Sequence, residues 1–147
     1  MNEEIITHYA EETTQWGREF AKRLQAPVLV LLTGDLGTGK TTLTKGIVAG
    51  LGAAVEDEVT SPTFTLVHVY GAAGATKVYH ADLYRVENFH DLESIGLEDA
   101  LGEQAIVIIE WSERFTFRTD WPRVEIQLDH AGGDSRSIAI SGLSQEK

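Results

Sequence analysis

The stretch GDLGTGKTT, from Gly34 to Thr42, sets one ammonium and three hydroxyls in a glycine-rich turn directly after the apolar run VLVLL. The spacing Gly34-x4-Gly39-Lys40-Thr41 matches GxxxxGK[ST] between a strand and a helix, the context in which that pattern binds phosphate. Glycines let such a loop curl until several backbone N–H groups point inward, and the following helix adds its positive end. Gly34, Asp35, Leu36, Gly37, Thr38 and Gly39 would form the cradle. Lys40 would meet the outer phosphates as a point charge, the Thr41 hydroxyl would ligate Mg²⁺, and Thr42 would donate to the innermost phosphate. Asp35 is the odd member, an acid in an anion site. Its carboxylate is expected to turn away, either bracing the loop or simply solvated. The expected ligand is a nucleoside triphosphate.

A phosphate loop of this kind works with a carboxylate at the tip of a neighbouring strand. Glu110, which closes AIVIIE, is the first candidate, and Asp82 in YHADLYR is the second. Either could instead be an ordinary solvated acid at a strand end. TSPTFT reads as a switch segment that brings Ser61, Thr63 or Thr65 to the γ-phosphate, or as a proline turn whose hydroxyls satisfy nearby backbone. His80 could position a catalytic water, but a strand histidine is more often a packed or hydrogen-bonded one. Trp111 is open between closing over the site and anchoring the core.

The elements that must hold these residues alternate along the chain. Ile5, Ile6 and Tyr9 suggest an opening strand, and Glu11 to Gln25 a helix with Trp16, Phe20, Ala21 and Leu24 on one face, ended by Pro27. VLVLLT has the pattern of a strand buried on both faces. A second helix starts at Lys40, carries Leu43, Ile47, Val48 and Leu51, and stops at Gly52. TLVHVY and KVYHADLY read as a hairpin around GAAGA, NFHDLESIGLEDAL as one or two short helices, and AIVIIEW as another buried strand. VEIQLDH and RSIAISGL pair around AGGDS. Helices between buried strands make the fold class α/β, and the two hairpins make the sheet mixed, with flanking helices, in the manner of a P-loop NTPase.

Length and composition bound the rest. At 147 residues, 42% hydrophobic and 24% charged, the chain is expected to form one soluble globular domain, residues 1–147. It has no cysteine, which removes disulfides and thiolate metal sites. MNEEIITHYAEETT has no apolar signal core and no apolar run reaches spanning length, so a cytoplasmic protein without a membrane role is expected. Lys and Arg number 12 against 23 Asp and Glu, a net charge of −11. That acidity argues against strong direct contact with nucleic acid, which depends on neutralising phosphates. It suits docking onto a basic protein surface, or does no more than maintain solubility.

GDLGTGKTT, SPTFTLVHVY, YHADLYR and IIEW, in this order and at these intervals, resemble the bacterial TsaE family, formerly YjeE. The resemblance runs from the first helix to the hairpin near Arg136. It implies a small Mg²⁺-dependent P-loop ATPase required for threonylcarbamoyladenosine modification of tRNA, acting with the TsaD–TsaB pair that it resets between cycles. By this resemblance Lys40, Asp82 and Glu110 carry catalysis, and Thr41, Asp82 and Glu110 associate with the metal. Thr42 touches phosphate, Glu11 and Thr13 lie near the adenine, and Arg136 lies near the nucleotide. Ser61, Pro62, Thr63 and Phe64 form the switch, with Trp111 beside it. Two positions depart from the family pattern: Ala81, where a bulky residue is common, and His68, where an acid is.

Two other readings remain. A small-molecule kinase would need an acceptor pocket and an arginine-bearing lid, for which SERFTFRTDWPR is short. A nucleotide-dependent binding switch would hydrolyse only incidentally. Arg85 and Arg136 are the arginines available in cis, and stimulation by the partner is the alternative to either.

Overall fold

Two apolar runs, VLVLL and AIVII, lie at the centre of a seven-stranded sheet because neither has a polar face to give to water. The structure is a computed structural model that describes residues 2–35, 37–62, 67–71, 76–88, 104–112 and 120–142. In chain order the elements are β1 (Asn2–Thr7), α1 (Ala10–Ala21), β2 (Val28–Thr33), α2 (Lys40–Gly50), a short 3-10 turn (Glu56–Glu58), β3 (Val67–Tyr70), β4 (Lys77–Asp82), β5 (Ala105–Glu110), β6 (Arg123–His130) and β7 (Arg136–Gly142). Across the sheet the order is β1-β7-β6-β2-β5-β4-β3. β6, β2, β5 and β4 run parallel, while β3, β7 and β1 each join antiparallel to a neighbour. The mixed sheet and both hairpins are therefore as the sequence suggested. The pairing of β1 with β7 at the far edge carries no local signal.

Two boundaries differ from expectation. The first strand ends at Thr7, and Tyr9 is instead the extended residue that precedes α1. The first helix ends at Ala21 rather than Gln25. There the backbone tightens, with the N–H groups of Lys22, Arg23 and Leu24 donating to carbonyls three residues back. The chain then has to turn through Pro27, which has no N–H and disfavours helix in the residue before it, to enter β2. Leu24 is still buried. The later strands start or stop within two residues of their expected ends. Most of the short helices expected over NFHDLESIGLEDAL, from Phe89 onward, lie outside the described residues, as do Thr65 and residues 113–119.

Both helices pack on one face of the sheet. Phe20, Leu43, Ile47 and Val48 meet Val30, Leu32, Ile106, Ile108, Val124 and Ile126 there. The helix backbones approach so closely at Gly46 that a Cβ on it would stand 2.1 Å from the carbonyl oxygen of Thr14. On the opposite face, Leu29, Leu31, Ala81, Leu83, Val107 and Ile109 form a second cluster. Strand alternation thus assigns Val78, His80 and Asp82 of β4, and Ile106, Ile108 and Glu110 of β5, to the helix face.

Candidate functional site

The parallel strands end together. In register, Leu32 of β2 sits beside Glu110 of β5, and Glu110 beside Asp82 of β4. Their C-terminal ends open onto the crevice where open α/β sheets bind ligands. Immediately after β2 the chain enters the glycine-rich loop. Gly34 has φ +146°, and a Cβ there would meet the Leu128 carbonyl oxygen at 2.5 Å, so only glycine fits against β6. Gly39 precedes α2 in the left-handed region, at φ +100°. The first turn of α2 (Lys40, Thr41, Thr42) therefore faces the crevice with the N-terminal N–H groups of the helix.

Lys40 is 5% exposed. Its Nζ donates to the carbonyl oxygens of Gly34 at 2.6 Å and Asp35 at 3.0 Å, and lies 4.2 Å from the centre of the Trp111 ring. Thr38 Oγ1 donates to the same Asp35 carbonyl at 2.8 Å. Asp35 thus braces the loop through its backbone, and its side chain is exposed. Thr41 Oγ1 donates to Glu110 Oε2 at 3.1 Å, across 69 residues of sequence. Glu110 and Asp82 are both 3% exposed. Asp82 Oδ1 accepts from the backbone N–H of Tyr84 at 2.8 Å, and Ser61 Oγ lies 3.4 Å from Asp82 Oδ2.

These residues enclose a cavity of about 360 Å³, lined by Gly37, Gly39, Lys40, Thr41, Thr42, Ser61, Asp82, Tyr84, Glu110 and Trp111. Trp111 has a positive φ of 62°, a position that costs a bulky residue about 1–3 kcal/mol and needs its surroundings to enforce it. Its N–H donates to the Leu32 carbonyl at 3.0 Å, which ties the end of β5 to the end of β2. The ring rests against Tyr84, centroids 5.0 Å apart. Trp111 thus belongs to the wall of the site as well as to the packing of the outer face.

A family model described as Threonylcarbamoyl adenosine biosynthesis protein TsaE matches residues 7–138. The chain belongs to the TsaE family. It is 40% identical over 145 residues to the tRNA threonylcarbamoyladenosine biosynthesis protein TsaE of Haemophilus influenzae, covering 93% of this chain and 89% of that one. It is 35% identical over 133 residues to the protein of the same name from Bacillus subtilis, covering 90% and 81%. The crystal structure of the Bacillus subtilis protein YdiB superposes with a TM-score of 0.73 at 29% identity, over 98% of this chain and 87% of that one.

In this TsaE chain a second cavity, of about 250 Å³, adjoins the first on the far side of the loop. It is lined by Ala10, Thr13, Gly37, Gly39, Thr42, Asp134 and Arg136. Thr13 is fixed by a 2.6 Å hydrogen bond between its hydroxyl and that of Thr7. Arg136, the first residue of β7, donates from its guanidinium to the Gly37 carbonyl at 3.2 Å. Thr13 and Arg136, 123 positions apart in numbering terms of helix and last hairpin, so share one wall. Glu11 is exposed and is not among the residues that line either cavity; its neighbour Glu12 instead accepts from the His8 N–H at 2.7 Å. Pro62 is buried beside Ser61, whereas Leu36, Thr63 and Phe64 lie outside the described residues.

Sequence reasoning missed one lining residue, Tyr84, and left the partner of His80 unnamed. Tyr84 lines the cavity although in DLYR only Asp82 and Arg85 stood out. His80 is fully buried, with Nε2 2.5 Å from Glu110 Oε2, so it faces a carboxylate inside the protein rather than a water in the cleft. The alternation His80-x-Asp82 was the available signal, since it assigns both side chains to one face.

Proposed function

We propose that this TsaE-family chain is a Mg²⁺-dependent ATPase whose turnover serves the TsaD–TsaB pair in threonylcarbamoyladenosine modification of tRNA. The observation that carries the reading is the convergence of Lys40, Thr41, Asp82 and Glu110 on one cavity at the ends of parallel strands, around a loop with the phosphate-binding pattern.

The residues fit the metal. Mg²⁺ takes one or two carboxylates together with substrate phosphates and water, rather than an all-protein cage. Among the described residues no cluster of three or more His, Cys, Asp or Glu forms such a cage. Thr41 and Glu110 already lie within hydrogen-bond distance of each other, and Asp82 stands beside Glu110 in the sheet. Thr41 and Glu110 would hold the ion, with Asp82 next to them. The chemistry Mg²⁺ supplies when bound is neutralisation of the β- and γ-phosphate oxygens.

The chain's own residues do the rest. Backbone N–H groups of the loop and of the first turn of α2 bind the phosphates, and Lys40 exchanges its carbonyl partners for the outer phosphate oxygens. A water oxygen bonds to the γ-phosphorus as the bridging P–O bond breaks, giving ADP, inorganic phosphate and a proton. Positioning and charge neutralisation are most of the protein's contribution to such a transfer. Thr13 and Arg136 would hold the nucleoside side in the second cavity. The net charge of −11 supports association with a basic surface on TsaD–TsaB rather than direct grip on tRNA.

The test is ATP turnover by the purified chain with and without TsaD–TsaB, scored for phosphate release. Lys40→Ala is expected to lose about 100-fold or more in turnover, the scale of removing one preorganised donor. Glu110→Ala should lose turnover while still retaining nucleotide. Full turnover by either variant contradicts the reading, as does a phosphorylated small molecule in place of free phosphate.

A further inference from the structure

His80 is an imidazole at 0% exposure in the middle of an apolar layer, which is a costly place for a polar ring. Its strand neighbour in β5 is Ile108, two residues below the Asp82–Glu110 row and on the same face. Nε2 reaches along the sheet to Glu110 Oε2 at 2.5 Å, while Nδ1 has no hydrogen-bond partner among the described residues. An ionised carboxylate only accepts, and against one the contact is an Nε2–H donating to Oε2. A ring kept for packing alone would be better replaced by an apolar side chain, because a buried unmet nitrogen is a net loss. The hydrogen bond to Glu110 is what the imidazole offers in return.

Glu110 Oε2 receives two donors, His80 Nε2 from within the core and Thr41 Oγ1 from the site. Thr41 lies farther from Oε1, at 3.5 Å. The glutamate side chain is thus held between a core residue and the first turn of α2, and its orientation is set from beneath. We propose that His80 is the positioning residue of Glu110: it fixes the carboxylate against Thr41, and through that carboxylate it sets how tightly the site takes a divalent cation beside bound nucleotide. The inference rests on the ATPase reading for the identity of the site. It gives His80 no contact with nucleotide or metal. Groups that hydrogen-bond a metal-associated carboxylate from behind typically govern affinity by about 10–100-fold.

The experiment titrates Mn²⁺, as a paramagnetic stand-in for Mg²⁺, into the 147-residue chain with saturating ADP, and reads bound ion by electron paramagnetic resonance. His80→Leu is expected to weaken Mn²⁺ binding by about 10-fold or more, and His80→Gln, whose amide can donate to the same oxygen, to stay within about threefold of the wild type. ADP affinity without metal should be the same in all three. In a Glu110→Gln background His80→Leu should cause no further loss, because the two residues act as one unit. Wild-type Mn²⁺ affinity in folded His80→Leu overturns the proposal, and so does a loss of equal size when Glu110 is already changed. Should His80→Leu fail to fold, His80→Gln is compared with His80→Asn, whose shorter amide falls short of Glu110; equal affinities overturn the proposal. A wild-type chain that binds no Mn²⁺ with ADP overturns the ATPase reading itself. Normal wild-type binding with an indifferent His80 overturns only the inference.

Discussion

Lys40 is held in two ways before any phosphate arrives: by the Gly34 and Asp35 carbonyls and by the face of Trp111. An ammonium over an indole contributes about 0.5–2 kcal/mol, less than a triphosphate with several charge-assisted bonds can offer. Binding of Mg²⁺ and ATP should therefore draw Nζ off the ring and change the Trp111 emission. Trp16 stacks on Phe20, at the helix–sheet packing, and Trp121 packs in the outer-face cluster. The expected fluorescence change should vanish in Trp111→Phe while those two tryptophans remain. A change of undiminished size in that variant would remove Trp111 from the site.

At the scale of elements, the placement of α2 depends on how closely it lies against α1. A methyl on Gly46 would overlap the Thr14 carbonyl at 2.1 Å, and one on Gly17 would stand 2.8 Å from the Leu43 carbonyl. Both obstacles are backbone, so the helices must separate. Gly46→Ala is expected to cost about 1–3 kcal/mol or more in urea unfolding, against the usual gain from Gly→Ala in a helix, and to weaken nucleotide binding by shifting the first turn of α2. A second element contact has a pH signature. The Arg23 guanidinium donates to Glu3 at 2.7 Å and holds its carboxyl below the ordinary value of 4.5, tying the turn after α1 to β1. A carboxyl lowered in the folded state stabilises it above the unfolded value, and that stabilisation is lost as pH falls through the folded value. Both side chains are about one-third exposed, so the contribution should stay under about 1 kcal/mol. The melting temperature of the wild type should exceed that of Glu3→Gln at pH 7, and the gap should narrow as pH falls below the ordinary carboxylate value of 4.5.

For the whole molecule, a ligand that binds only the folded chain stabilises it by mass action. Mg²⁺ with ATP at about 100 times its dissociation constant should add about 2.7 kcal/mol, which for a chain of this size means a melting temperature higher by roughly 5–10 °C. Lys40→Ala should abolish that rise without lowering the unliganded melting temperature by a comparable amount. Magnesium or ATP given alone should produce much less of it. The described residues contain no helix long and apolar enough to cross a membrane. With a surplus of 11 negative charges, the proposed association with TsaD–TsaB should weaken as salt screens it.

Local chemistry made much of this legible in the sequence alone. The glycine spacing of the loop, the five apolar residues before Glu110, and the turn residues of the last hairpin each encode their own conformation, because backbone freedom and strand alternation act over a few residues. That is why the glycine-rich loop between strand and helix, the mixed sheet and the strand-end acids could be read directly. What joins distant segments could not. The pairing of Thr41 with Glu110, the meeting of Thr13 and Arg136 at one cavity, the edge pairing of β1 with β7 and the contact of His80 with Glu110 all depend on strand order and helix approach. Those are settled by which apolar faces bury one another across the whole chain, and no window of sequence contains that competition.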